Sequence, residues 1–158
     1  MRFIFAILII LWPSFALAQG LFASDKVVEK TYIVTGESIA QLKASMSRRG
    51  PNGYWGYTRY NYRWDGRCNM RFEATVTMPK LKSRDMLSAD DLAKWDRMRA
   101  ALLEHEMGHV EIGRAWAGAI KKAKCRSADV KRIDAEFKGK DADFDRRTQH
   151  GRTTGVHF

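Results

Sequence analysis

The sequence predicts an α+β domain in which a small sheet of about three strands packs on one long helix and a C-terminal helix. Three observations predict it. Cys68, Met70, Phe72, Ala74, Val76 and Met78 alternate with Asn69, Arg71, Glu73, Thr75 and Thr77, the period of a strand with one buried face. From Ser88 to about Lys124, Trp95, Met98, Leu102, Ile112, Trp116 and Ile120 fall on one helical stripe. From Ser127 onward, Val130, Ile133, Phe137 and Phe144 share the apolar face of a further helix. The chain has 158 residues, 45% hydrophobic and 29% charged. That is too apolar for long disorder and about the length of a single domain.

The first 18 residues read separately. Arg2 precedes the unbroken apolar run Phe3–Leu11, then Pro13 and the small-x-small site Ala16-Leu17-Ala18. The run is too short to span a bilayer, so residues 1–18 are expected to be a secretory signal peptide. The domain is expected over residues 19–158, secreted or periplasmic, with no further transmembrane segment. In an oxidising compartment Cys68 and Cys125, the two cysteines of the chain, are expected to form one disulfide.

The remaining elements follow in order. Residues 19–25 read as a frayed start. Val27–Val34 is β-branched and aromatic enough for a strand, stopped by Gly36. Ile39, Leu42 and Met46 give Ser38–Arg48 a short amphipathic helix, and Arg49–Gly53 is punctuation. Tyr54–Trp64 holds six aromatic residues and reads as a strand. Asp65-Gly66 then signals a two-residue hairpin into the alternating strand, which Pro79 should stop. Lys80–Leu87 is a linker, and Ser88 caps the long helix with Asp90 and Asp91 in its first turn. Unbroken to Lys124, that helix would be ~55 Å long at 1.5 Å per residue. A compact domain of this size has a radius of gyration of only ~14 Å, so a break is expected near Gly113 or Gly118. Gly151 onward reads as a tail.

The chemistry sits in His105-Glu106-Met107-Gly108-His109, an H-E-x-x-H motif on the long helix. Residues i and i+4 share a face, so both imidazoles can reach one zinc ion. Glu106 lies about 100° round the helix, placed to act as general base on a zinc-bound water without being a ligand itself. Both histidines fall inside the apolar stripe. Two imidazoles there need partners, and a metal supplies them; two core histidines with ordinary hydrogen bonds are the plainer alternative. The third ligand must come from the last helix or the tail, because the metzincin position six residues after His109 is Ala115. His150 is the expected ligand. Asp134, Asp141 and Asp145, near the apolar face of the last helix, are the alternatives, each equally open to an ion pair with Lys or Arg.

These residues carry a resemblance. Arg48-Arg49-Gly50-Pro51, Gly53-Tyr54-Trp55-Gly56-Tyr57-Thr58, Trp95-Asp96-Arg97, the H-E-x-x-H motif and Asp145–Gly151 make the chain similar to the bacterial DUF922 family of predicted secreted zinc-dependent proteases. The resemblance implies zinc ligands at His105 and His109 and a base at Glu106, and makes the segment ending at His150-Gly151 a plausible third contributor. The element order also resembles the upper half of a zincin, in which an edge strand pairs with extended substrate. Tyr54–Trp64 or Cys68–Met78 is expected to be that edge.

Lys and Arg number 28 against 18 Asp and Glu, a formal charge of +10. The basic runs at Arg48-Arg49, Lys80–Arg84, Lys121–Arg126 and Arg146-Arg147 are scattered. They suit an anionic envelope polymer or lipid surface better than specific nucleic-acid binding. The expected function is a secreted zinc metallopeptidase acting on peptide or protein substrates; the rival is a non-catalytic, zinc-stabilised binding module of the cell envelope.

Overall fold

The computed structural model describes residues 22–158. The signal-peptide reading falls on residues outside that range. Six main elements follow one another: β1 (Ser24–Val34), α1 (Ile39–Arg49), β2 (Tyr57–Trp64), β3 (Met70–Leu81), α2 (Ala89–Lys122) and α3 (Ser127–Thr148), with single 3-10 turns at Pro51–Gly53 and Arg152–Thr154. The architecture is α+β, with a small mixed sheet and three helices.

The sheet has three strands in the order β1-β3-β2. β1 runs parallel to β3 and β2 antiparallel to it. The central strand is therefore β3, which removes Cys68–Met78 as a candidate edge and leaves β2. β1 begins three residues before its expected start, because Ser24 already pairs with Arg71 and the Ala23 amide donates to the Met70 carbonyl at 2.8 Å.

Pro79 does not stop β3. The β2 ladder ends at the Tyr57–Thr77 pair, so beyond Thr77 the strand has β1 alone beside it. A proline without an N–H is tolerated where one side of the ladder is vacant. Its carbonyl accepts from Arg99 Nε at 3.0 Å.

The expected two-residue hairpin is a longer loop, residues 65–69. The Asp65 carboxylate accepts from the amides of Arg67 and Asn69, each at 2.9 Å, and stands in for backbone partners that a tight turn would have supplied. Cys68 sits in this loop rather than in the strand, with φ 59°, and is bonded to Cys125 just past the end of α2. The disulfide expected from the sequence therefore pins the β2–β3 loop to the α2–α3 turn.

α2 is one helix of 34 residues, started by Ser88, whose hydroxyl accepts from the Asp91 amide at 3.1 Å. The expected break is absent. A radius of gyration limits the mean spread of a domain, not its longest rod, and buried side chains run along α2 from Trp95 to Ile120. Gly113 is present for contact. A Cβ there would lie 2.8 Å from the Tyr60 ring.

Met70, Phe72, Ala74, Val76 and Met78 bury the inner face of β3 beneath α2. α3 turns back along α2 as a helical hairpin, burying Ile133 and Phe137. Asp134 ties the layers together. It accepts from Tyr62 Oη at 2.9 Å and from Trp116 Nε1 at 2.8 Å, which accounts for this acid without a metal. No helix among the described residues is long and apolar enough to cross a membrane.

The two cysteines are 57 residues apart. Chain-entropy arguments give a cross-link of that span about 4 kcal/mol. The Cys68→Ala/Cys125→Ala protein is therefore expected to lose about that much unfolding free energy in denaturant melts; a loss below about 1 kcal/mol would contradict a stapling role.

Candidate metal and catalytic site

The helical hairpin builds the site by simple register. Two antiparallel helices with equal rise pair positions that are equally far from the turn. Counted from Cys125, His105 matches Asp145, His109 matches Asp141 and Trp116 matches Asp134. The structure joins each of these pairs. The faces that meet are His105, Gly108 and His109 on α2 and Asp141, Phe144 and Asp145 on α3, each spaced i, i+3, i+4.

Asp145 Oδ1 lies 3.2 Å from His105 Nε2 and 3.1 Å from His109 Nε2. His109 Nδ1 faces Asp141 Oδ1 at 2.8 Å. The two imidazoles stand perpendicular, 4.9 Å apart at 88°. Phe144 stacks on His105 at 5.0 Å and meets His109 edge-on at 5.0 Å, which fixes both ring planes. This packing depends on Gly108, where a Cβ would stand 2.5 Å from Phe144 Cζ.

His105, His109 and Asp145 are the group of donors among the described residues that lies close enough to hold one ion. Four donors at ~2.05 Å around a tetrahedral centre are ~3.3 Å apart, close to both N–O separations here. Asp141, holding the far nitrogen of His109, is the kind of partner that orients a ligating imidazole. His105 Nδ1 is buried and has no hydrogen-bond partner. That leaves Nε2, the atom facing Asp145, as the working end of the ring.

His150, the expected third donor, lines the same cleft at its exposed side. Its Nδ1 is 3.4 Å from Asp145 Oδ1, its side chain is 59% exposed, and it lies outside the three-donor group. Its ring leans on Tyr54 at 5.7 Å. Two residues of the helix end explain this: Gln149 and His150 both take left-handed backbone angles, which turn the chain away from the α3 face that carries Asp145. Gly151 follows with φ +82°; a Cβ there would lie 3.0 Å from His105 Cγ.

Glu106 is buried beside the group without belonging to it. Thr58 Oγ1, from β2, donates to its Oε2 at 2.8 Å. Burial raises the Glu106 pKa, partly offset by the Thr58 hydrogen bond and by the nearby His109. Gly56 leaves the room that the carboxylate needs, since a Cβ would come within 2.6 Å of Glu106 Oε1. Burial likewise lowers His105, reinforced by the neighbouring His109 and opposed by Asp145. Burial also pulls His109 down, but the hydrogen bond and charge of Asp141, with Asp145 and Glu106, outweigh it and leave His109 raised.

All of these groups line a cleft of about 470 Å³, shared with Tyr54, Tyr57, His150 and Arg152. Gly56 and Thr58 belong to the Gly53–Thr58 stretch that carries the family resemblance, but their role beside Glu106 arises only where this stretch crosses α2. Asp145 and Asp141 carry a local signal: the short α2–α3 connection and the equal count from its centre.

Residues 29–151 match the DUF922 family, described as a bacterial protein of unknown function. The chain belongs to the DUF922 family. No curated protein and no solved structure matches it. The span shared with DUF922 contains every residue of the three-donor group, Glu106, Thr58 and Asp141, and ends at Gly151, the residue packed on His105.

Forcing a Cβ into the Phe144 ring should cost about 1–3 kcal/mol, the usual range for overpacking. Gly108→Ala is expected to show that loss in urea denaturation. A variant as stable as the parent would mean that the α2–α3 contact is loose at the site.

Proposed function

We propose that this DUF922 protein is an exported zinc-dependent metallopeptidase. The observation that carries the reading is a three-donor group, whose two histidine–carboxylate separations are near the tetrahedral value, beside a buried carboxylate that is not a donor. His105, His109 and Asp145 would hold the ion. Zinc in such a site lowers the pKa of a bound water and polarises a carbonyl. Three protein donors leave a fourth position open, the arrangement of catalytic rather than structural zinc.

The chain's own groups do the rest. Glu106 takes the proton from the attacking water and returns it to the leaving amine. Its raised pKa favours that return. Thr58 holds Oε2, so Oε1, facing Gly56, is the oxygen available for proton transfer. Asp141 keeps His109 in one tautomer and one orientation. β2 is an edge strand that begins in the cleft, so an extended peptide can add to it by backbone pairing.

The rival reading, a zinc-stabilised envelope module without turnover, draws on His150. It stands 3.4 Å from Asp145, and a rotation that made it a fourth donor would close the site.

Metal analysis and peptide hydrolysis separate the two. Asp145→Ala is expected to lose stoichiometric zinc and His150→Ala to keep it. Glu106→Gln should keep zinc and lose turnover by about 10²–10⁴-fold, the usual worth of a general base. Zinc retained with no hydrolysis of a broad peptide library by the parent protein would favour the rival. Parent protein purified and reconstituted without stoichiometric zinc would overturn both.

A further inference from the structure

The open face of the sheet carries a charge pattern that the linear sequence does not display. Paired strand residues point to the same side. Tyr57, Arg59, Asn61 and Arg63 of β2 therefore share a face with Thr77, Thr75, Glu73 and Arg71 of β3, and with Lys30, Val28 and Lys26 of β1. The opposite side of the sheet is the one buried under α2. On the open face, Lys26, Lys30, Arg59, Arg63 and Arg71 are exposed, with Glu73 on the same face and Asp65, in the adjoining loop, close enough to interact with Arg71.

Neighbouring groups leave most of this charge uncompensated. Lys26, Lys30 and Arg59 make no ion pair among the described residues. Arg63 reaches Glu73 at 3.9 Å, an exposed contact worth little. Arg63 also stands directly across from Arg71, and like charges so placed destabilise a sheet.

The row on β2 is also continuous with the cleft. Tyr57 is its first member and lines the cleft. The next residue, Thr58, holds Glu106. Arg59 and Arg63 then follow along the same edge strand, ~13 Å apart at ~3.3 Å per residue.

We propose that Arg59 and Arg63 select acidic side chains in a polypeptide that pairs with the free edge of β2. The role as substrate selection rests on the metallopeptidase reading; the docking itself does not. A strand added to β2 places every second side chain beside this row, ~4.5–5.5 Å from its cross-strand partner. Carboxylates at those alternate positions meet the two guanidinium groups, with Lys26, Lys30 and Arg71 adding a longer-range attraction. The chemistry favours an extended acidic polypeptide over a lipid surface. The face is mostly Thr, Asn, Arg and Lys; its exposed aromatic, Tyr57, sits where the row enters the cleft, which a bilayer cannot follow.

The test is binding to the Glu106→Gln protein, which would leave the probe uncut. The probe is a labelled peptide of about ten residues alternating Glu and Thr, followed by fluorescence anisotropy at low and physiological salt; a Lys and Thr peptide is the control. The acidic peptide should bind and the basic one should not. Arg59→Gln/Arg63→Gln should weaken binding by about tenfold or more, while Arg48→Gln/Arg49→Gln, at the end of α1, should change it by less than about twofold. Circular dichroism confirms that both double variants fold, and Lys26→Gln/Lys30→Gln should give a smaller, salt-sensitive loss. Equal weakening by the Arg59/Arg63 and Arg48/Arg49 variants would reduce the effect to net charge and overturn the proposal. So would no peptide binding, or Arg59/Arg63-dependent binding to phosphatidylglycerol vesicles without peptide binding. A protein that binds the acidic peptide but shows neither zinc nor hydrolysis would sink the peptidase reading and leave the docking row standing. A protein with zinc-dependent hydrolysis but no acidic preference would do the reverse.

Discussion

The contact between one turn of α2 and one turn of α3 is the constraint on which the molecule depends. His105, Gly108 and His109 face Asp141, Phe144 and Asp145. Phe144 fills the space that Gly108 leaves open, 5.0 Å from each imidazole. The ring planes are thus set by packing before any ion is considered. The same contact brings a carboxylate oxygen to within hydrogen-bond distance of both Nε2 atoms. Everything chemical in the cleft follows from this helix register, which the Cys68–Cys125 disulfide supports at the turn.

The electrostatics of that contact make sense around a cation. Two half-shared imidazoles, Asp141, Asp145 and the buried Glu106 converge in a small volume. Of these acids Glu106 is buried, while Asp141 and Asp145 keep about a third of their side chains exposed; burying a carboxylate is costly unless it is paired. Asp145 Oδ1 faces the Nε2 atoms of both motif imidazoles and, at 3.4 Å, the Nδ1 of His150. A divalent ion at the shared point would neutralise the carboxylate and satisfy both Nε2 atoms. Asp134, on the same helix face, presents the contrasting case. Tyr62 and Trp116 satisfy it with neutral donors, and it holds the fold together.

Much of this was legible in the chain. The strands, the capped long helix, the disulfide and the placement of the two motif histidines inside an apolar stripe all follow from period and residue type. The departures have local causes. Pro79 stays in β3 because β2 has already ended beside it. Gly113 does not break α2 because Tyr60 occupies the space of its missing side chain. Asp65 widens the hairpin by capping two amides of its own loop. The basic face is not visible as a consecutive run of charge, because a strand groups alternate residues.

The sequence by itself determined how His105, Glu106 and His109 are spaced on α2 and the order of the elements, because i, i+4 spacing and period-two alternation are local geometry. Tertiary structure decided which side chain of the last helix meets the two imidazoles. Residue type favours His150, but the left-handed backbone at Gln149 and His150 carries that ring aside, while the antiparallel register lays Asp145 against both imidazoles. It also decided that Thr58 holds Glu106 and that Arg59 and Arg63 join Lys26 and Lys30 on one face. Those contacts bring together residues far apart along the chain, and only the packing of one element on another can specify them.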